Sequence, residues 1–187
     1  MRDVARVIAE RGATTTLDDV SATTGTSKSR LCECFGDDRG LVKAVVEYQC
    51  ATVVDWHAKL LEAVDSWEDL ERWTEQIVEH ATWTGCPIGT LAAVLSDADE
   101  ALRTRLRGAF AAWKDAIRGA LGQLQERGLI ATGADLDALA TMTLSAVQGG
   151  LLLAKLTRDA DQLRTALDGA LVELRSHAPT DPRMVSS

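Results

Sequence analysis

Proline is scarce in this chain, with three in 187 residues and two of those, Pro179 and Pro182, near the C-terminal end. Little therefore interrupts a helix over most of the length. Two phenylalanines, one tyrosine and hardly any alternating apolar pattern remove the usual marks of a strand. The four cysteines, Cys32, Cys34, Cys50 and Cys86, form no C-x-x-C pair. That spacing excludes the common zinc frameworks, and reduced thiols are the expectation for a cytosolic protein. A long apolar run is also missing: LSAVQGGLLLAKL is short for a membrane span and is broken by Gln148 and Lys155. The opening RDVARVIAERG has neither the basic start nor the apolar block of a signal peptide, so the sequence predicts a soluble, cytoplasmic protein. An excess of positive charge is absent too, since 20 Lys and Arg face 28 Asp and Glu for a net charge of −8. General affinity for nucleic acid is excluded by that balance, and any contact with DNA has to come from a local surface. No Gly-rich phosphate loop, nucleophile elbow or metal spacing occurs, so neither an enzyme nor a cofactor is expected.

What is present is helical pattern. Hydrophobic residues make up 46% of the chain and charged residues 26%, with abundant Ala, Leu and Glu. A first helix over residues 1–11 presents Val4, Val7 and Ile8 on one face. A second begins at T-x-x-D, read either as Thr15 with Asp18 or as Thr16 with Asp19, and stops at Gly25. Thr26 or Ser27 caps a third, which ends near Phe35, and Asp37 can cap the fourth, a long helix from about Gly40 through Leu60. Ser66 with Asp69 starts the next, Gly85, Pro87 and Gly89 mark a loop, and a short helix follows over residues 88–95. Asp97 with Glu100 opens a long helix to Gly128, and two further helices cover residues 136–156 and 161–176. The predicted fold class is all-α, with an N-terminal three-helix helix-turn-helix domain over residues 1–46, a larger helical ligand-binding and dimerisation domain over 47–178, and a disordered tail over 179–187.

Two short helices joined by a Gly-containing turn, with a third in front, describe a helix-turn-helix. Three ordinary short helices with a polar face fit the periodicity equally. In the first reading the second short helix enters the major groove, and Thr26, Ser27, Lys28, Ser29 and Arg30 are donors suited to phosphates and base edges. Thr15, Thr16 and Lys43 complete the expected DNA contacts.

The stretch VIAERGATTTLDDVSATTGTSKSRLCECFGDDRGLVKAVVE resembles the N-terminal domain of TetR-type transcriptional regulators. That family's pattern is an F-x-E-R-G turn, a capped helix ending in A-G-V-S-K, a recognition helix ending in L-Y-x-Y-F and a K-E-x-L helix start. Glu10, Arg11, Gly12, Asp19, Val20, Gly25, Ser27, Lys28, Leu31, Phe35, Leu41 and Val45 match it. The later GCPIGTLAAVLSD with FAAWKDAIRGAL is similar to the ligand-binding half of one branch. The chain departs from the pattern at Cys32 and Cys34, which replace aromatic residues, at Asp38, which replaces a lysine facing the DNA backbone, in a shorter loop after Gly12, and in a short basic arm. Over residues 1–48, seven basic residues (Arg2, Arg6, Arg11, Lys28, Arg30, Arg39, Lys43) meet eight acidic ones (Asp3, Glu10, Asp18, Asp19, Glu33, Asp37, Asp38, Glu47). Weak, steeply salt-dependent DNA binding is the expectation.

The resemblance implies a homodimer that binds pseudo-palindromic operator DNA and is released by a small apolar or aromatic effector. All five tryptophans lie between residues 56 and 113, where they serve either as core and dimer residues or as a pocket that stacks on a ring. Trp83, Cys86, Phe110, Trp113, Met142 and Gln148 are the expected ligand contacts. Leu144, Val147, Leu151, Leu163, Leu167 and Leu171 are the expected dimer interface, in a four-helix arrangement about a two-fold axis. His57 and His80 read as solvated or satisfied core residues, and no metal site is expected. Cys32 and Cys34, two apart on a helix, point to different faces, and oxidation of the one nearer the DNA is an open route to a switch. The alternative function is a helical small-molecule binding or interaction protein that has largely lost DNA affinity.

Overall fold

A computed structural model of the chain describes residues 1–11, 14–81, 85–95 and 99–179. Gly12, Trp83, Asp97 and most of the expected tail lie outside the described residues. The described residues form nine helices and no strand: α1 (Arg2–Arg11), α2 (Leu17–Thr24), α3 (Lys28–Phe35), α4 (Asp38–Leu61), α5 (Trp67–His80), α6 (Pro87–Leu95), α7 (Glu100–Glu126), α8 (Leu136–Thr157) and α9 (Asp161–Ser176).

They gather into two compact units, one of residues 1–55 with 84–111 and one of residues 56–83 with 112–187. In the first unit α1 packs on α2 and α6, and α2 on α3. Val4, Val7 and Ile8 of α1 meet a core that includes Leu17, Val20, Leu31, Leu41, Val45, Val46, Ile88 and Leu91, all buried. The i, i+3, i+4 spacing of α1 generates that apolar stripe.

In the second unit α9 packs on both α5 and α8. The α8–α9 approach is close at Gly150, where a Cβ would lie 2.7 Å from Leu163 Cδ1 and 3.0 Å from Leu163 Cα. Glycine is thus required there by space. Ser66 accepts from the Asp69 amide (3.2 Å) while the Asp69 carboxylate accepts from the Ser66 hydroxyl (2.6 Å), starting α5. Asp135 accepts from the amides of Asp137 and Ala138 (3.1 Å each) to start α8. Satisfying these otherwise orphaned amides is each cap's contribution, about 1 kcal/mol.

α8 is longer than its most apolar run. Its 22 residues extend that run N-terminally through Leu136–Thr143, giving a helix long and apolar enough to cross a membrane by length and composition. One face, including Leu139, Ala140, Val147 and Leu151, is nevertheless buried within the protein.

Candidate functional site

Caps fix the starts of α2 and α3 above the buried core of the N-terminal helices. Thr16 is the N-cap of α2 and closes a reciprocal capping box with Asp19, which makes it the correct choice over Thr15 with Asp18. The Asp19 carboxylate accepts from the Thr16 amide (2.9 Å) and hydroxyl (2.8 Å) and pairs with Arg11 (2.6 Å). These contacts, the Thr16 amide foremost, hold its pKa below the ordinary carboxylate value. Thr15, expected at the DNA, is instead 3% exposed. It sits one residue before the N-cap, within the protein rather than on its surface.

Gly25 (φ 71°) closes α2 in the left-handed conformation, with its amide donating to the Ser21 carbonyl. The Thr26 amide and hydroxyl are both engaged by Thr24 across this turn. Ser27 is the N-cap of α3 and accepts from the Arg30 amide (3.3 Å). Thr16 and Ser27, both expected at the DNA, also start the two helices.

Lys28, Ser29 and Arg30 occupy the exposed first turn of α3, while Leu31 alone of that helix is buried. Lys28 Nζ lies 2.8 Å from Asp18, with both side chains more than half exposed. Its pKa is raised, first by the hydrogen bond to Asp18. Arg30 lies 3.2 Å from Glu33 one turn along α3. Exposed pairs of this kind are worth about 0–1 kcal/mol, little enough for a phosphate to displace the carboxylate. Cys32 and Cys34 are exposed free thiols on the same helix.

The acidic pair after α3 has a structural use. Asp38 accepts from the Leu17 amide at 2.8 Å, satisfying the first amide of α2 from 21 residues away. Asp37 accepts from the Gly40 amide at 2.7 Å within the start of α4. A Cβ on Gly40 would collide with the Phe35 carbonyl oxygen, so glycine lets α4 follow α3 this tightly. Lys43 is exposed one turn further on.

A second constellation lies inside the other unit. His57 is 5% exposed and accepts at Nδ1 from Trp73 Nε1 (3.1 Å). Its ring stacks on Trp113 with centroids 3.8 Å apart and planes 23° apart, and meets the edge of Trp56 at 4.6 Å. Burial pushes its pKa down to about 3, so the ring is neutral, with the proton on Nε2 as the Trp73 bond requires. From the sequence His57 is a solvated or core residue; only its contacts make it the centre of an aromatic cluster.

The expected ligand contacts divide between the units. Cys86 and Phe110 belong to the first unit; Trp113, Met142 and Gln148 belong to the second. Gln148 Nε2 is buried with no hydrogen-bond partner among the described residues, and a buried donor left so costs roughly 1–3 kcal/mol.

Val147, Leu151, Leu163, Leu167 and Leu171, expected between two chains, are already buried within the single chain, and Leu144 is half-buried. The reason is the direct packing of α8 on α9, which uses both apolar stripes. The large apolar side chains left on their surface are Leu152, Leu153, Leu156 and Val172.

Comparison with known proteins gives these sites a setting. The family model of the tetracyclin repressor-like C-terminal domain matches residues 57–170. A TetR transcriptional regulator from Chloroflexus aurantiacus J-10-FL is similar over 91% of each chain, at 26% identity and a TM-score of 0.79. A putative TetR-family regulator from a Rhodococcus species is similar over 93% of this chain and 95% of its own, at 25% identity and a TM-score of 0.72. A TetR-family regulator from Cytophaga hutchinsonii, at 16% identity, shares the fold with a TM-score of 0.81 over 96% of this chain and 95% of its own. No curated protein matches.

Proposed function

Because the chain belongs to the TetR family of transcriptional regulators, we propose that it is a cytoplasmic repressor whose homodimer binds a pseudo-palindromic operator and is released by a small apolar or aromatic ligand. The observation that carries the reading is the first turn of α3, which presents Lys28, Ser29 and Arg30 to solvent on a capped helix pair. Recognition-helix residues at that position reach base edges, and α2 lies across the backbone. Lys43 adds a phosphate contact.

Two copies meet through the apolar side chains that α8 and α9 leave exposed, Leu152, Leu153, Leu156 and Val172. A two-fold axis there sets operator half-sites about one DNA turn apart, or a multiple of it. The buried amide of Gln148 supplies the effector with one hydrogen-bond donor, which favours a ligand with an apolar body and one acceptor, and Met142 and Trp113 are its expected apolar contacts. An effector tenfold tighter for the released conformer shifts the balance by about 1.4 kcal/mol, enough for control.

The alternative is a binding or interaction protein with lost DNA affinity, and the pairing of Lys28 with Asp18 and Arg30 with Glu33 favours it. Asp38 does not bear on the choice, because its carboxylate caps α2. Fluorescence anisotropy with the DNA flanking the protein's own gene, against scrambled DNA, separates the two: preference for the flanking duplex supports the repressor, and equal weak binding supports the alternative.

A further inference from the structure

One cation near the reading head is held by a carboxylate from far along the chain. Arg39, in the first turn of α4, is 82% exposed, yet its Nη2 lies 2.7 Å from Asp99 Oδ2, 60 residues away and within the same compact unit. Asp99 is only 17% exposed at its side chain and is fixed in place. Its other oxygen accepts from the amides of Ala101 (2.9 Å) and Leu102 (3.1 Å), so one carboxylate caps α7 and grips Arg39 at once.

The surroundings are built for charge. A second pair, Arg105 with Glu47 at 2.5 Å, joins the same two helices further along. Arg39, Lys43 and Arg105 line one groove of about 340 Å³ with Asp99 and Glu47. Arg39 and Lys43 are four apart on α4 and so share a face. The neighbouring Asp38 ties this turn of α4 to the first amide of α2, the helix that in such a head crosses the DNA backbone. A guanidinium at Arg39 therefore stands beside the expected path of the backbone.

Resting on the DNA-binding reading above, we infer that Arg39 is a phosphate contact of the head and that Asp99 competes with DNA for it. Arg39 has two alternative partners: the anchored carboxylate at the start of α7, and a phosphate. Because Asp99 is also the α7 cap, a shift of that turn decides which partner Arg39 keeps, and the operator affinity follows. The pair costs DNA little to break, since exposed ion pairs are weak, so the competition tunes affinity and does not abolish it.

The test is a cycle of full-length variants measured by fluorescence anisotropy at several salt concentrations, on a duplex that the wild-type protein selects from a random-sequence pool. Asp99→Asn keeps the oxygen that caps α7 and removes the carboxylate charge that faces Arg39. It should bind about threefold to fivefold tighter per head, with a salt dependence steeper by up to about 0.9 per head, set by the share of Arg39 that Asp99 holds in wild type. Arg39→Gln should bind more weakly than wild type, and adding Asp99→Asn to Arg39→Gln should bring no gain. Circular dichroism checks that each variant remains folded. A gain from Asp99→Asn that is the same with and without Arg39, or no gain at all while wild type binds, overturns the competition and leaves the DNA reading intact. A wild-type protein that enriches no duplex overturns the DNA reading and this inference with it.

Discussion

Acidification should weaken the second unit through one ring. His57 is buried, neutral and shifted to about pKa 3 in the folded chain, against about 6.5 when solvated. The unfolded state takes up a proton that the folded state refuses, so stability is complete above pH 6.5 and falls as the pH drops towards 3. Each pH unit in that window costs about 1.4 kcal/mol. Between pH 7.5 and pH 5 the loss is about 2 kcal/mol, and the full window sets an upper bound of about 5 kcal/mol. The groups that meet the ring are indoles, Trp56, Trp73 and Trp113, and none of them supplies a counter-charge to an imidazolium. His57→Phe keeps a ring for Trp113 to stack on and cannot titrate. It orphans Trp73 Nε1, which costs roughly 1–3 kcal/mol at neutral pH, but it should lose about 2 kcal/mol less than wild type on going to pH 5. Urea unfolding followed by tryptophan fluorescence at the two pH values measures the difference, and carboxylates common to both proteins cancel. Equal losses in wild type and variant would refute the reasoning, because the proton would then be entering elsewhere.

Further predictions concern single contacts. Asp38→Ala should lower stability by about 1 kcal/mol, the loss of a cap on Leu17, read as a lower denaturation midpoint; an unchanged midpoint would mean the acid is dispensable. Gly150→Ala should cost about 1–3 kcal/mol by overpacking α8 on Leu163, checked by the same unfolding curves. Leu156→Glu, at a residue 77% exposed, should leave the fold intact and convert the proposed dimer to monomer in light scattering; a variant that remains dimeric places the interface elsewhere. Lys28→Ala should weaken operator binding and make its salt dependence shallower by about 0.9 per head.

Much of the backbone plan was legible in the sequence because helix starts are local chemistry. Ser27, Ser66 and Thr16 are side chains that reach amides three residues away; spacing alone predicts Ser66 and narrows the other two to Thr26 or Ser27 and to Thr15 or Thr16. Gly25 is legible for the same reason, since a turn with positive φ selects glycine. What the sequence hid is tertiary. Asp38 looks like a repulsive charge in the place of a lysine until Leu17, 21 residues earlier, is seen to need an acceptor. Thr15 and Thr16 are indistinguishable as letters, yet one is buried and the other is the cap. The leucines of α8 and α9 carry the right period for an interface, but period does not say whether the partner helix belongs to the same chain or to another. His57 reads as an ordinary histidine; three tryptophans brought together from α4, α5 and α7 make its environment unlike water.

A head that reads DNA as part of a dimer should pick out one duplex sequence from many. Selection of duplexes from a random pool by the purified full-length protein, with and without Lys28→Ala and Arg30→Ala, tests it most directly. An enriched inverted repeat, bound by wild type and lost with either alanine, is the result the account predicts. A pool that remains random, with equal weak binding by all three proteins, would contradict it.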